Sequence, residues 1–282
     1  MNLPAMAALR PSERLTVLAL AGLLMLTLGL RPEGWGLRAA AFAVMLLLAL
    51  RLGHVPSMLR DFAPVVLLPA IFLLLQPLVS ANPVRWDAAL AAADARWFGP
   101  LVRAWRGAFG RPALFTDLVY VAYASFYFLP LSVALLTRLR LGAERYERTA
   151  FTLLLGFYLS FLGYFLWPAE GPRVPPALEA AQLGGGMVSQ AIRAFLHGAE
   201  ATTLDAFPSG HTALSVLPAL LATRPFPRLA PLIWAWAAAV VFATVYISAH
   251  YVVDLAAGVL LAGLTLVLAP LLSRRLGSAE AV

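Results

Sequence analysis

Cysteine is absent from this 282-residue chain. No disulfide framework and no thiolate metal site can form without it. Lysine is absent too, so all 21 basic residues are arginine. Charge of either sign is scarce: 12% of residues are charged, against 61% apolar. A water-soluble domain carries about twice that share of charge. With a mean hydropathy of +0.82, the composition excludes an ordinary soluble domain and indicates a membrane protein. The net charge of +7 does not point to nucleic acid, because no basic run interleaved with aromatics is present. In a membrane protein, excess arginine marks cytoplasmic loops instead. Arg10 and Arg14 precede an apolar run over 15–30 in the manner of a secretory leader. No small-x-small cleavage site follows, and further apolar runs come at once. The run is therefore expected to be a first transmembrane helix.

A helical span needs about 20 predominantly apolar residues. The stretches that qualify are 14–30, 35–52, 62–81, 113–137, 149–167, 209–223, 229–248 and 250–272. The expected fold is all-α, a polytopic transmembrane bundle of about eight spans. Two connections are longer. Segment 82–111 mixes Arg85, Asp87, Asp94, Arg96, Arg103 and Arg106 with Trp86, Leu90, Trp97, Phe98, Leu101 and Trp105. That mixture suits a helix lying in the membrane surface, broken near Gly99-Pro100. Segment 168–207 is rich in Pro and Gly and reads as a loop over one membrane face, with a short helix around 187–196. With these spans both termini share a face. That face carries twelve arginines against five acidic residues, whereas the other carries nine of each. The positive-inside rule then places both termini in the cytoplasm and the long loops outside.

Two runs carry candidate chemistry. In Phe207-Pro208-Ser209-Gly210-His211-Thr212-Ala213, a Pro, a cap-forming Ser and a Gly stand directly before an apolar helix. The first turn of a helix presents free backbone N–H groups and a positive dipole end, which together bind phosphate. Ser209 adds a hydroxyl and also suits an N-cap. Gly210 lets the backbone approach a ligand, and His211 can give a proton to a departing oxygen. In the second run, Tyr246 to Gly258, His250 and Asp254 are four apart, which on a helix puts them on one face. A carboxylate beside an imidazole fixes its tautomer and stabilises its cation, leaving the far nitrogen to attack phosphorus. From His211 the chain crosses the membrane, turns at Arg224-Pro225-Phe226-Pro227-Arg228 and crosses back, so His250 returns to the face that holds His211. The fifth span ends on that face at Glu170-Gly171-Pro172-Arg173, from which the Arg173 guanidinium can reach a phosphate. Asp117, Tyr120, Tyr123 and Tyr127 form a polar stripe in the fourth span. The stripe either lines a head-group cleft or serves hydrogen bonding between helices. Thr244 is either a further cleft residue or a hydroxyl bonded to its own helix.

The runs 207–213 and 246–258 resemble the second and third signatures of the type 2 phosphatidic acid phosphatase superfamily. The Gly171-Pro172-Arg173 turn resembles the branch that contains the inositol phosphorylceramide synthases. The resemblance implies a six-helix membrane core over about 62–272, preceded by two helices in 1–61 and followed by a short tail, 273–282. It also implies metal-free, cofactor-free chemistry through a phosphohistidine. His250 would be the nucleophile, Asp254 its partner and His211 the general acid, with Arg173, Ser209 and Gly210 as phosphate ligands. Asp117, Tyr120 and Thr244 remain candidates for a head-group cleft. The chain departs from the lipid-phosphatase pattern in two places. No lysine exists to supply that pattern's first signature, and Thr244 stands where it has an arginine. A phosphate pocket with fewer cations favours a singly charged diester over a monoester. The expected reaction is therefore head-group transfer from a phospholipid to a lipid alcohol, at the outer face of a bacterial-type plasma membrane. The rival within enzymes is hydrolysis of phosphatidate or a polyprenyl phosphate, with water as acceptor. The rival from another class is a non-catalytic lipid transporter. No nucleic-acid partner is expected.

Metal independence is directly testable. Chelators should leave turnover intact, and complete loss with EDTA restored by one divalent ion would refute the metal-free mechanism.

Overall fold

The computed structural model describes residues 6–109, 111–199 and 203–277, apart from the side chains of 103–109, 176, 177, 179, 180, 198 and 199. Arg103 and Arg106 of the surface segment are among these side chains, and the end of the tail, with Glu280, also lies outside the described residues. Every regular element described is a helix: α1 Pro11–Leu30, α2 Trp35–Leu50, α3 Ser57–Ser80, α4 Asp87–Phe109, α5 Ala113–Ala124, α6 Phe128–Leu166, α7 Pro176–Leu183, α8 Met187–Ala199, α9 Gly210–Thr223, α10 Ala230–Tyr246 and α11 Val252–Gly277. The expected all-helical membrane class is what the chain adopts. Five helical stretches are long and apolar enough to cross a bilayer, and α9 and α10 are shorter apolar helices. Large apolar side chains such as Leu37, Val66, Leu114 and Leu260 stand exposed on the outside of the bundle. That arrangement costs nothing where the surrounding solvent is lipid.

The centre is α9, packed against α6, α10 and α11. The chain on either side of Gly142 forms a hairpin around it. Descending, Phe126 packs with Leu214 and Leu217, then Leu129 and Val133 with Ala219 and Ala222. Ascending, Gly156 meets Leu217 and Leu214, and Tyr164 reaches Gly210. Gly142 makes the reversal with φ 84° and ψ −178°, a conformation that glycine adopts at little cost. The sequence suggested a loop between spans ending at 137 and starting at 149. Instead both legs stay helical up to this one residue.

One end of the bundle is tied by buried charge. Asp61 accepts from Arg10 at 2.5 Å and from Arg138 at 2.7 Å. Glu13 accepts from Arg60 Nε at 2.7 Å, and Glu147 accepts from the Ser12 amide at 2.8 Å. Arg14 donates to the Leu276 carbonyl, joining α1 to the end of α11. These residues belong to the face that the charge count put together. The leg from Glu147 to Tyr164 is about 25 Å long, so the conserved geometry of one helix separates this charged end from the end that holds Gly210. With only 14 residues, α9 is about 21 Å long, short of the roughly 30 Å hydrocarbon thickness.

Three local expectations are corrected. Segment 87–109 is one continuous helix, with Pro100 inside it rather than a break at Gly99-Pro100. Segment 168–207 holds two helices rather than one. Pro176 opens the Ala- and Leu-rich α7, and Gly184 and Gly185, both at positive φ, end it before α8. The third concerns His250, which precedes α11 instead of lying on it.

The topology can be checked with engineered cysteines, since the chain has none of its own. Ala143 and Met187 are both exposed, and a cysteine at each should label from opposite sides. Met187→Cys should react with an impermeant reagent from outside intact cells. Reaction of Ala143→Cys from outside would invert the orientation.

Candidate active site

Three helices converge on Pro208-Ser209-Gly210, and the contacts leave no room for side chains. A Cβ on Gly163 of α6 would lie 2.3 Å from Pro208 Cδ, and one on Gly258 of α11 would lie 2.6 Å from the Ser209 carbonyl. A Cβ on Gly210 would lie 2.3 Å from Tyr164 Oη. Ser209 caps α9, its Oγ accepting from the Thr212 amide at 3.2 Å. Its own amide donates to the Asp254 carbonyl at 3.1 Å, which fixes the start of α9 against the start of α11.

His211 sits in the first turn of α9. Its ring stacks on Tyr123 with centroids 4.6 Å apart, and Phe126 lies 4.4 Å away. Its Nδ1 is 3.4 Å from Nε2 of His250. Its Nε2 is buried without a hydrogen-bond partner among the described residues.

His250 is buried in the link between α10 and α11. The helix stops before it because the Ala249 and His250 amides both donate to the Thr244 carbonyl, at 2.8 and 3.2 Å, while Ser248 turns left-handed at φ 62°. The pairing with Asp254 therefore does not arise from a shared helical face. Asp254 turns back instead, its Oδ2 accepting from the Tyr251 amide at 2.8 Å and lying 3.5 Å from His250 Nδ1. The nearer partner of Nδ1 is the Ala206 carbonyl at 2.9 Å. Both neighbours are acceptors, so Nδ1 carries the proton, and in the neutral imidazole Nε2 presents its lone pair towards His211.

Arg173 is ion-paired with Asp205. Its loop is held at several points. Ala206 donates to the Ala169 carbonyl at 3.0 Å, and the Glu170 and Gly171 amides donate to Asp87 Oδ1 at 2.9 and 3.0 Å. Gly171 has φ 77°, and a Cβ there would meet the Ala249 carbonyl at 2.8 Å. The structure thus brings Arg173, Ser209, Gly210, His211, His250 and Asp254 to one end of the bundle.

The three cleft candidates have other engagements. Asp117 Oδ1 accepts from the Gly186 and Ser189 amides at 2.8 and 2.9 Å, holding the start of α8. Thr244 is fully buried and its hydroxyl donates to the Val241 carbonyl at 2.7 Å, the local bond that was the alternative reading. Tyr120 is buried beneath Arg193.

The sequence reading missed the residues that hold the site from α4. Asp94 is buried and accepts from the Val253 amide at 3.1 Å, in the first turn of α11. Asp87 anchors the Arg173 loop, as above. The two aspartates are seven apart, so they share one face of α4. That spacing was the available signal, but on an amphipathic helix it reads as a solvated stripe. Asp205 and Ala206 carried no signal beyond their nearness to the Pro208 run.

No curated protein and no solved structure matches the chain. A model of the PAP2 superfamily matches residues 88–268, a stretch that includes α4 from its second residue on, the Arg173 loop and both histidines. With that match over most of its length, the chain belongs to the PAP2 superfamily.

Proposed function

We propose that this protein moves a phosphate-linked head group from a phosphodiester phospholipid, such as phosphatidylinositol, to a lipid alcohol, as in the inositol phosphorylceramide synthase branch. Membership of the superfamily supports lipid phosphatase or phosphotransferase activity in general. The observation that carries the finer reading is the charge immediately at the histidine pair, apart from Arg111 and Arg193, which lie over the Tyr246 and Tyr120 rings. Arg173, the one guanidinium of the signature runs, already shares a carboxylate with Asp205. A phosphomonoester brings nearly two negative charges, and burying the second without fixed cations is costly. A diester brings one, which the α9 N-terminus and a partly neutralised arginine can match.

In this reading His250 Nε2 attacks phosphorus and the bond to the diacylglycerol oxygen breaks. His211, entering as its imidazolium, gives that oxygen a proton and is left neutral. The acceptor hydroxyl then attacks the phosphohistidine and returns a proton to His211, so both imidazoles are restored. The 3.4 Å contact between the two rings leaves no room for a phosphoryl group, since the reacting phosphorus alone needs about 3–3.5 Å from the nitrogen. Substrate entry must therefore part them.

Two measurements test this. Purified protein given labelled phosphatidylinositol with ceramide or diacylglycerol should form a transfer product. Rapid quench should trap acid-labile phosphate on His250, and His250→Ala should abolish both. Fast release of inorganic phosphate from phosphatidate, with no transfer from any diester, would return the protein to the phosphatases. A label on Ser209 would overturn the assignment of the nucleophile. Second, Asp94→Asn should lower kcat about tenfold with little change in KM, because it weakens a charge-assisted bond that positions α11 without touching substrate. An unchanged kcat would remove Asp94 from the machinery.

A further inference from the structure

Beside the histidine pair, the fold leaves two arginines with unmatched charge. Arg193 of α8 is 6% exposed. Its Nη1 donates to the Gly184 carbonyl at 2.9 Å, and its guanidinium carbon lies 5.0 Å from the centre of the Tyr120 ring. Its Nη2 is buried and has no acceptor among the described residues. Arg111, at the entry to α5, lies 5.7 Å over the Tyr246 ring, and its Nη1 is likewise buried without an acceptor.

The two belong to one patch. Gly184, whose carbonyl holds Arg193, packs against Arg111: a Cβ there would lie 3.3 Å from the Arg111 carbonyl oxygen and 3.5 Å from its Cβ. The Tyr246 hydroxyl lies 2.9 Å from the Thr116 hydroxyl, and Thr116 and Tyr120 are one turn apart on α5, about 6 Å. The two guanidiniums therefore stand over neighbouring rings. Among the described residues, no carboxylate pairs with either. Asp117 of the same helix directs its Oδ1 to the Gly186 and Ser189 amides instead.

A buried charge without a counter-ion is strongly unfavourable. The aromatic faces offset part of this. The free N–H donors remain, and they call for an oxyanion, for which the planar guanidinium fork is suited. The patch also adjoins the histidines. Tyr120 is one turn from Tyr123, which stacks on His211, and Ile247 and Ala249, just before His250, pack in the same apolar cluster as Tyr120 and Tyr246.

We propose that Arg111 and Arg193 form a second anion subsite, separate from the His211–His250 pair, that takes a phosphate oxyanion, either the head group of an anionic phospholipid or free phosphate. The proposal goes beyond the transfer reading and does not rest on it.

The test is binding to the full-length His250→Ala protein, in which turnover does not intervene. Inorganic phosphate is titrated in detergent, and phosphatidylglycerol or phosphatidylcholine is offered in nanodiscs with bound lipid counted by native mass spectrometry. Preferential retention of phosphatidylglycerol without phosphate binding identifies a lipid head group, and phosphate binding alone identifies the soluble anion. In either case Arg193→Gln and Arg111→Gln should each weaken binding about tenfold or more. Arg228→Gln, at the other end of α9, should leave it unchanged. Arg193→Lys keeps the charge but loses the fork, and should retain part of the affinity. It serves in place of Arg193→Gln if that variant does not fold. Equal binding by all variants, or no preference for an anion over phosphatidylcholine, would overturn the subsite.

Discussion

The proton on His250 Nδ1 faces two acceptors, the Ala206 carbonyl and the Asp254 carboxylate, and much of the surrounding architecture serves to hold them there. A neutral imidazole has one N–H and one lone pair, and only the position of the proton decides which nitrogen is nucleophilic. The Ala206 carbonyl is placed by a bond between its own amide and Ala169, and Asp254 by the Tyr251 amide. Asp87 and Asp94 of α4 then brace the Ala169–Gly171 strip and the first turn of α11. Through Asp87 and Asp94, α4 thus braces the segments that hold both acceptors of the His250 Nδ1 proton.

The two ends of the molecule use opposite means to the same purpose. At the charged end, Asp61, Glu13 and Glu147 gather α1, α3 and α6 through ion pairs and hydrogen bonds that little water can screen. At the histidine end, glycines do the work. Gly163, Gly210 and Gly258 let three helices approach closely, Gly258 against the Ser209 backbone, Gly163 against the Pro208 ring and Gly210 against the Tyr164 hydroxyl, the packing mode that lipid-embedded helices favour where no hydrophobic drive separates protein from solvent. Gly142 allows the hairpin that delivers both of its legs to α9.

The apolar helices were legible because nothing competes with a run of twenty uncharged residues. The Ser209–His211 and His250–Asp254 groupings were legible because each is local in the chain. What joins them was not. The aspartates of α4 look like half of an ordinary amphipathic face, since a one-dimensional pattern cannot tell a solvated carboxylate from one meeting a loop about 80 or 160 positions away. His250 met Asp254 by a different route from the one its spacing implied, because two amides closing on the Thr244 carbonyl end the helix first. Arg193 was visible only as a cation that could fold in from elsewhere to restore the missing charge, and Arg111 gave no signal. Their partners are ring faces and a glycine carbonyl, and neither leaves a mark in hydropathy or charge spacing.

The shortness of α9 has a kinetic meaning. Were Arg224 and Arg228, beyond its far end, to sit at one interface, as the charge count expects, a helix of about 21 Å would start below the other, and the candidate histidines with it. Under the proposed transfer, a lipid would then present its phosphate by sliding sideways within the leaflet, its chains still in hydrocarbon and only the ester losing water. The concentration that governs such an encounter is a mole fraction in two dimensions. In that case diluting the substrate lipid with inert lipid would slow the encounter, whereas adding more buffer around the same vesicles would leave it untouched.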